Sequence, residues 1–458
     1  MPQIDQAVII DGWTQPGWSG TPLIELRGTN LPSNNSRGLR LMVGGSTVRG
    51  LAIGGFYAAI ELRSSGNAIQ GNHIGVDAAG LNSVGNEIGV QVNNVAGNLI
   101  GGANPGSRNL IAGNGFGIAI AGSFASGTRI EGNYIGSDLN GTAALSNGIG
   151  IQIVNAFNTV IGGSGGSANL ISGNTTGIVM GVNATGNQVI GNLIGTDASG
   201  LNALPNDSGI VLSGASQNSI GASGLGNVIA GNFSRGIMIG EGVSGEPAAR
   251  NRLFGNLIGV ARDGSSALPN GIGIHLIGAT ETIIGTIGAG NMIAYNLADG
   301  VLISQGLGSS DANQVRGNRI FANGGLGINL QASSSPGPVT PNDGCANGGN
   351  PNNGIDYPTI YSAQLSAGNL VVRGEACSGG NVEIFLADAD PSGYGQGSRS
   401  LGTVAVDDAV PGLIDPAARR FTLSIPAGSI ILGDELSAVV TDANANSSEF
   451  GLRVTVTP

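Results

Sequence analysis

The residues able to do chemistry in this chain are few and scattered. Of 458 residues, 29 are Asp or Glu and 18 are Arg; Lys is absent, and two His and two Cys complete the reactive set. Polysaccharide hydrolysis needs an acid and a second carboxylate within several ångströms of each other. The one directly adjacent Asp pair is Asp407-Asp408, in a turn-like stretch near the C-terminus. A different pattern runs through the first half, where Asp77, Asp138, Asp197 and Asp263 recur in GVDAAG, GSDLNG, GTDASG and ARDGSS. Such a row could touch sugar hydroxyls or take a hard cation, Ca²⁺ being the one its oxygens suit. Asp also bonds its own backbone two residues on and caps turns. The turn role is the stronger reading, because two strand spacings set neighbours in the row about 10 Å apart. His73 and His275 fall in different repeats at outward positions, with no Cys, Asp or second His at ligand spacing, and are expected as single surface imidazoles. Trp13 and Trp18 flank a Gln-Pro-Gly turn, where they can stack on sugar rings or pack over the first coil. The candidate ligand surface is therefore Trp13, Trp18, Asp77, Asp138, Asp197 and Asp263. No catalytic, cofactor-binding or metal-binding residue is assigned.

These groups must be positioned by a repeat. Asn72, Asn133, Asn192, Asn256 and Asn318 begin the phrases NHIG, NYIG, NLIG, NLIG and NRI, at intervals of 61, 59, 64 and 62 residues. Each interval holds two passes of a shorter unit with three β-type runs, clearest in GIQI, NTVIG and NLISGN between Gly150 and Asn174. Apolar residues alternate at period two, as in Ile118-Ala119-Ile120 and Ile151-Gln152-Ile153, and never at helical spacing. Strands repeated in this way satisfy their backbones by pairing with their equivalents in the next coil, which makes parallel sheets along an axis. Repeated Asn residues, among them Asn98, Asn158 and Asn218 or Asn109, Asn169 and Asn227, are expected as stacked amide ladders at corners. The run Gly162-Gly163-Ser164-Gly165-Gly166 looks like a phosphate cradle, but no helix follows it.

Composition narrows the function. The formal net charge is −11, and every positive side chain is Arg. A lysine-free acidic surface argues against nucleic acid and against an electrostatic membrane anchor. No apolar run approaches the roughly 20 residues of a membrane-spanning helix. The first residues carry no signal-peptide pattern and lead almost directly into Ala7-Val8-Ile9-Ile10. The solenoid is thus expected to be truncated at its N-terminal end, with an export signal upstream.

The expected organisation is a β-helix of ten or eleven coils over residues 1–332, a linker or cap over 333–356, and a small antiparallel β-sandwich over 357–458. The last segment carries independent strands at LVVRGEA, VEIFLAD, LGTVAVD, RFTLSIP, LSAVVTDA and FGLRVTVT. Cys345 and Cys377 are either two unrelated thiols or a disulfide clipping the linker to the sandwich. An exported, repeat-built chain favours the bridge.

The phrases GNYIGSDLNGTAALSNGIGI and NTVIGGSGGSANLISGN resemble right-handed parallel β-helix repeat proteins of bacteria, within the pectin-lyase-like architecture. IDGWTQPGWSGTPLIEL is similar to a segment that precedes such repeats in large exported proteins. DPSGYGQGSRSLG and VVTDANANSSEF resemble the sandwich module that often follows them. The resemblance covers nearly the whole chain and implies an all-β fold, a right-handed parallel β-helix solenoid followed by a small antiparallel β-sandwich. It is weak for activity, since this architecture hosts lyases, hydrolases, epimerases and adhesins. Lyases of the kind use clustered carboxylates on Ca²⁺ with a Lys or Arg base, and hydrolase NTD, GHG and RIK or epimerase DPHD motifs are absent here. The expected function is a non-catalytic secreted or cell-surface module with a structural, adhesive or carbohydrate-binding role. Its expected partner is an extracellular polysaccharide or another surface protein, with neither nucleic acid nor membrane insertion. The alternative is a polysaccharide lyase or glycoside hydrolase with its site on an outward face of the β-helix.

Overall fold

The computed structural model describes residues 3–28, 31, 36–332, 337–345, 348, 351–377, 379–388, 390 and 392–458. The composition break at 333–336 and the side chain of Asp408 lie outside them. Three parallel sheets run the length of the solenoid, here called sheets 1, 2 and 3, beginning with Ile9–Asp11, Ile24–Arg27 and Arg37–Leu41. Sheets 1 and 3 hold eleven strands each, so the chain winds through eleven coils. Register is strict: Ile118 lies between Val90 and Ile151, and Ile151 is followed by Ile178, Ile210, Ile237 and Ile274. All of these are fully buried. At about 1.5–3 kcal/mol for each buried aliphatic side chain, one column of this kind outweighs any surface ion pair in the chain.

Alternating strands fix which side chains face inward; the corners fix where each coil turns. In one ladder the Oδ1 of each Asn accepts from both the backbone N–H and the Nδ2 of the previous rung, through Asn72, Asn109, Asn133, Asn169, Asn192, Asn227, Asn256, Asn291 and Asn318, at 2.9–3.2 Å. A second runs from Asn86 through Asn114, Asn147, Asn174, Asn206, Asn232, Asn270 and Asn296 to Asn323. Buried amides are thereby satisfied by their own kind. A third ladder mixes residues: Asn67, Asn98, Thr128, Thr159, Asn187, Asn218, Asn251, Thr282 and Asn313. The expected rung at Asn158 is therefore corrected to Thr159. Asn158 is exposed at φ +55°, in the left-handed slot that Gly66, Gly97, Gly127 and Gly186 fill before other rungs of this ladder, and Asn is the residue that best replaces Gly there. Gly191, at φ +67°, shows the demand: a methyl group on it would stand 2.3 Å from the Gly163 carbonyl oxygen.

From Thr359 the strands become antiparallel. Thr359–Ser366, Asn369–Ala376, Asp407–Pro411 and Arg419–Pro426 form one layer. Asn381–Asp388, Gln396–Ala405, Glu435–Thr441 and Val454–Thr455 form the other. Relative to the sequence expectation, Thr359–Ser366 and Asp407–Pro411 are additional, and the last strand is short. The second layer continues sheet 2 through the antiparallel bridge Ile320↔Gly397. This sandwich closes the open end of the solenoid. Gln396 Oε1 accepts from Asn323 N and Nδ2 at 3.0 and 3.1 Å, terminating the second ladder. Asn352 Oδ1 accepts from Asn313 N at 3.0 Å and terminates the third. Glu449 accepts from Leu330 N at 2.8 Å and Thr340 N at 2.7 Å. Cys345 and Cys377 are joined by a disulfide with Cα atoms 5.6 Å apart. Among the described residues no helix is long and apolar enough to cross a membrane.

Candidate functional site

The outer face of sheet 2 carries a continuous column: His73, Leu110, Tyr134, Leu170, Leu193, Val228, Leu257 and Met292. Two sets of corner insertions rise beside it, each recurring every second coil. One set follows the strands of His73, Tyr134, Leu193 and Leu257 as hairpins, closed by the bridges Val76↔Ser83, Ser137↔Ala144, Thr196↔Ala203 and Val260↔Ala267. The other set precedes the intervening strands and includes the short turns Pro105–Ser107 and Gly165–Ser167. Apolar side chains seat the hairpins on the column: Leu139 and Leu145 pack with Leu110 and Tyr134, and Ala261 and Leu268 with Val228.

The Asp row belongs to these hairpins, and its oxygens are used inside them. Asp77 Oδ1 accepts from the N–H groups of Leu81 and Asn82, and Oδ2 from Asn82 Nδ2. Asp138 accepts from Thr142 N and Ala143 N. Asp197 accepts from Ser199 and from the N–H groups of Leu201 and Asn202. Desolvation is the largest single influence on Asp77 and Asp197 and pushes their pKa values upward; the hydrogen bonds together outweigh it and hold both below the usual range. Asp263 is held down at about 2 by the Ser266 hydroxyl and the N–H groups of Ser266 and Ser265.

The row is nevertheless three long, not four. The closing bonds Asp77 N→Asn82 O, Asp138 N→Ala143 O and Asp197 N→Asn202 O have as their fourth member Ala261 N→Ser266 O. Ala261 thus occupies the Asp slot, and Asp263 lies two positions further on. The hairpins also touch directly, through Ala198 N→Gly141 O and Arg262 N→Gly200 O, both 2.9 Å, so they form one wall.

Between the two rows of insertions lies a groove enclosing about 370 Å³. Its floor is Tyr134, Leu170, Leu193 and Val228, and its far rim is the Gly165-Gly166 turn. Arg108 stands on one side with its guanidinium carbon 4.0 Å from the Tyr134 ring centroid and its Nε donating to Gly132 O at 3.3 Å. Arg262 stands on the other, its Cβ lying 2.7 Å from where a methyl group on Gly200 would be. No Asp or Glu lines this groove among the described residues. Neither Tyr134 nor the two arginines belong to the ligand surface expected from the sequence. The signal was present as a break in the repeat: GSRN stands where the equivalent turn two coils on has GSAN, and VARDG where others have GVDAAG or GTDASG.

The remaining expectations fare differently. Both histidines are buried, His73 at 4% and His275 at 0% exposure, and neither is a surface imidazole. Outward on a strand does not mean solvent-exposed once insertions and long side chains cover the face. His275 Nδ1 accepts from Arg235 Nε at 3.0 Å, which leaves the Nε2 proton to face Ser304 Oγ at 2.9 Å. Burial, assisted by Arg235, pulls its pKa down to about 4. Trp13 and Trp18 lie together with ring centroids 5.9 Å apart. Arg49 stacks on Trp13 at 4.4 Å, and Gly50 and Gly71 have no space for a methyl group because the same ring fills it. Trp18 Nε1 is buried without a partner.

A second cavity of about 580 Å³ lies where the last coils meet the sandwich, lined by Asp299, Leu326, Pro338, Asp390 and Tyr394. Asp299 accepts from Leu326 N at 2.7 Å and Asn329 Nδ2 at 3.0 Å, and burial raises its pKa. Asp390 accepts from Ser392 and from Gln396 Nε2 at 3.0 Å. Two carboxylates therefore line one cavity, a pairing of solenoid and sandwich that adjacency in the chain does not reveal. Asp356 lies with the sulfurs of Cys345 and Cys377, but it accepts the N–H groups of Asp343, Gly344 and Cys345 and those sulfurs are bonded to each other.

No family model matches the chain. Among solved structures, it is similar to the enzymatically active domain of tailspike protein 2 of bacteriophage CBA120, at 12% identity and a TM-score of 0.35. That match covers 93% of this chain and 66% of the other.

Proposed function

We propose that this chain is a non-catalytic repeat module that binds a carbohydrate chain in the lateral groove over sheet 2. The observation that carries the reading is the lining of the groove. It presents Arg108, Arg262, Tyr134, a small apolar floor and glycine turns, and it has no carboxylate among the described residues to act as acid or base. A peptide is disfavoured, because the floor strands are paired on both sides and have no free edge for an added strand. The disulfide supports a secreted or cell-surface location, where an extracellular polysaccharide would be the partner. The test is binding without turnover: immobilised polysaccharides should retain the protein while their reducing ends and unsaturated uronate absorbance stay constant. Retention of none of a broad glycan panel would defeat the reading.

One observation favours a second reading, a glycoside hydrolase working at the junction. Asp299 and Asp390 line one cavity, and Asp299 is biased toward its protonated form. Under that reading Asp299→Asn abolishes a measurable release of reducing ends; if no such release exists in the unmodified chain, the second reading falls.

A further inference from the structure

The groove holds two arginines that the rest of the chain has not neutralised. Arg27, Arg37, Arg40, Arg49, Arg63, Arg129, Arg250, Arg316 and Arg453 each pair with a carboxylate. Among the described residues Arg108 has no carboxylate partner; it rests on the Tyr134 ring and on one carbonyl oxygen. The Arg262 guanidinium has no hydrogen-bond or ion-pair partner among the described residues. The neighbouring Asp263 is turned into its own hairpin, accepting from Ser265 and Ser266. In a chain of net charge −11, these two cations face one groove, whereas other arginines without a carboxylate partner among the described residues, such as Arg235 and Arg252, stand on sheets 3 and 1.

Both arginines also depart from the repeat, one in each row of insertions. The residue preceding the ladder Asn is Ala168, Gly226 and Gly290 in the coils equivalent to that of Arg108, and the hairpin position of Arg262 is Ala78, Leu139 and Ala198 elsewhere. Ala, Gly or Leu builds these corners in the other passes, so the arginines are not required by the coil. Arg108 moreover occupies a face of Tyr134, so the groove offers a guanidinium plane where a neutral-sugar platform would offer a ring. A guanidinium presents a planar fork of N–H donors matched to oxyanions.

We infer that the groove selects a glycan whose sugars carry an oxyanion, carboxylate or sulfate, held between Arg108 and Arg262. This rests on the carbohydrate reading above and adds the charge of the ligand. The experiment pairs polymers that share a backbone: polygalacturonate against its methyl ester, and dextran sulfate against dextran, by titration calorimetry with the full chain at low and raised salt. At least one charged polymer binds, its uncharged partner does not, and raised salt weakens the complex. Which charged polymer binds identifies the oxyanion. Arg108→Gln and Arg262→Gln each weaken binding about tenfold or more, since a hydrogen bond to a charged group is lost. Arg252→Gln, an exposed arginine on the outer face of sheet 1, leaves it unchanged. Equal binding of charged and uncharged partners overturns this inference and leaves the carbohydrate reading standing. Binding of none of the four overturns both, and a loss in Arg252→Gln with Arg262→Gln unaffected overturns the assignment to this groove.

Discussion

The third ladder contains its own experiment. At Thr128, Thr159 and Thr282 the hydroxyl oxygen is buried and has no partner, whereas each Asn rung offers an Oδ1 to the rung before it. Thr282 is the cleanest case, because Asn251 precedes it and Asn313 follows it; its own N–H donates to Asn313 Oδ1 at 3.1 Å. Thr282→Asn should add an acceptor for the backbone N–H and the Nδ2 of Asn251 and a donor to Asn313 Oδ1. Three hydrogen bonds at about 0.5–1.5 kcal/mol each, less about 0.8 kcal/mol for the buried methyl group lost and a similar cost of ordering the amide, leave a gain centred near about 1.4 kcal/mol and no larger than about 3 kcal/mol. Because the effect is local to one corner of a solenoid, native-state hydrogen exchange is the sharpest assay. The Asn251 amide should slow by about tenfold, and by no more than about a hundredfold, while amides several coils away are unaffected. The mirror change, Asn187→Thr, removes the acceptor used by Thr159 N and the donor to Asn218 Oδ1, and should speed exchange at its corner. A faster Asn251 amide, or a lowered denaturant midpoint in Thr282→Asn, would refute the idea that rung chemistry limits this corner.

Ile151→Asp places a charge between Ile118 and Ile178 and should cost several kcal/mol, about 3 or more, whereas Gln152→Asp on the half-exposed outer face should cost under about 1; comparable denaturant midpoints would mean the register is wrong. Reduction of Cys345–Cys377 should cost the sandwich about 3 kcal/mol in the chain-entropy model, and an unreduced digest should give one linked peptide pair by mass spectrometry; two free thiols would remove the bridge. Burial pushes Glu449 up to about 8, against the pull of two N–H donors, so its stabilising contribution is complete below the ordinary Glu pKa and is lost as pH rises toward 8. The sandwich should therefore detach more easily at pH 9 than at pH 5, by at most about 1.4 kcal/mol per pH unit across that window, and Glu449→Gln should flatten the dependence; a melting temperature that rises with pH in this range would contradict it.

The fold was legible because the same few residues recur at fixed intervals. Alternation in Ile151-Gln152-Ile153 assigns inside and outside, and the Gly-Asn phrase marks a left-handed corner followed by an inward amide. What stayed illegible depends on contacts between coils. Asn158 looked like a rung because it is an Asn, but the left-handed φ places it in the glycine slot and Thr159 on the ladder. Asp263 looked like the fourth member of a row until the closing bonds of its hairpin gave Ala261 that place. His275 was assigned outward correctly and solvated wrongly, since Arg235 and Ser304 close over it. Asp299 and Asp390 come from different modules, and only the docking of the sandwich brings them to one cavity.

These cases share a cause. In a solenoid the repeated positions are spent on the coil itself, on the inward column and the ladders, and a residue identical in every pass carries no site. Functional information has to reside where a pass departs from its neighbours without the corner requiring it. Thr282 departs and leaves an unmet hydroxyl, which weakens its rung. Gln396 is borrowed from the sandwich and completes a ladder, which makes the module a cap. Arg108 and Arg262 depart by placing charge with no carboxylate partner among the described residues on both sides of one groove, where Ala, Gly or Leu builds the equivalent corners, and their guanidinium groups complete no ladder. Under the proposed function they serve a ligand that the groove holds, which is why that proposal places the site there in preference to the conspicuous Asp turns.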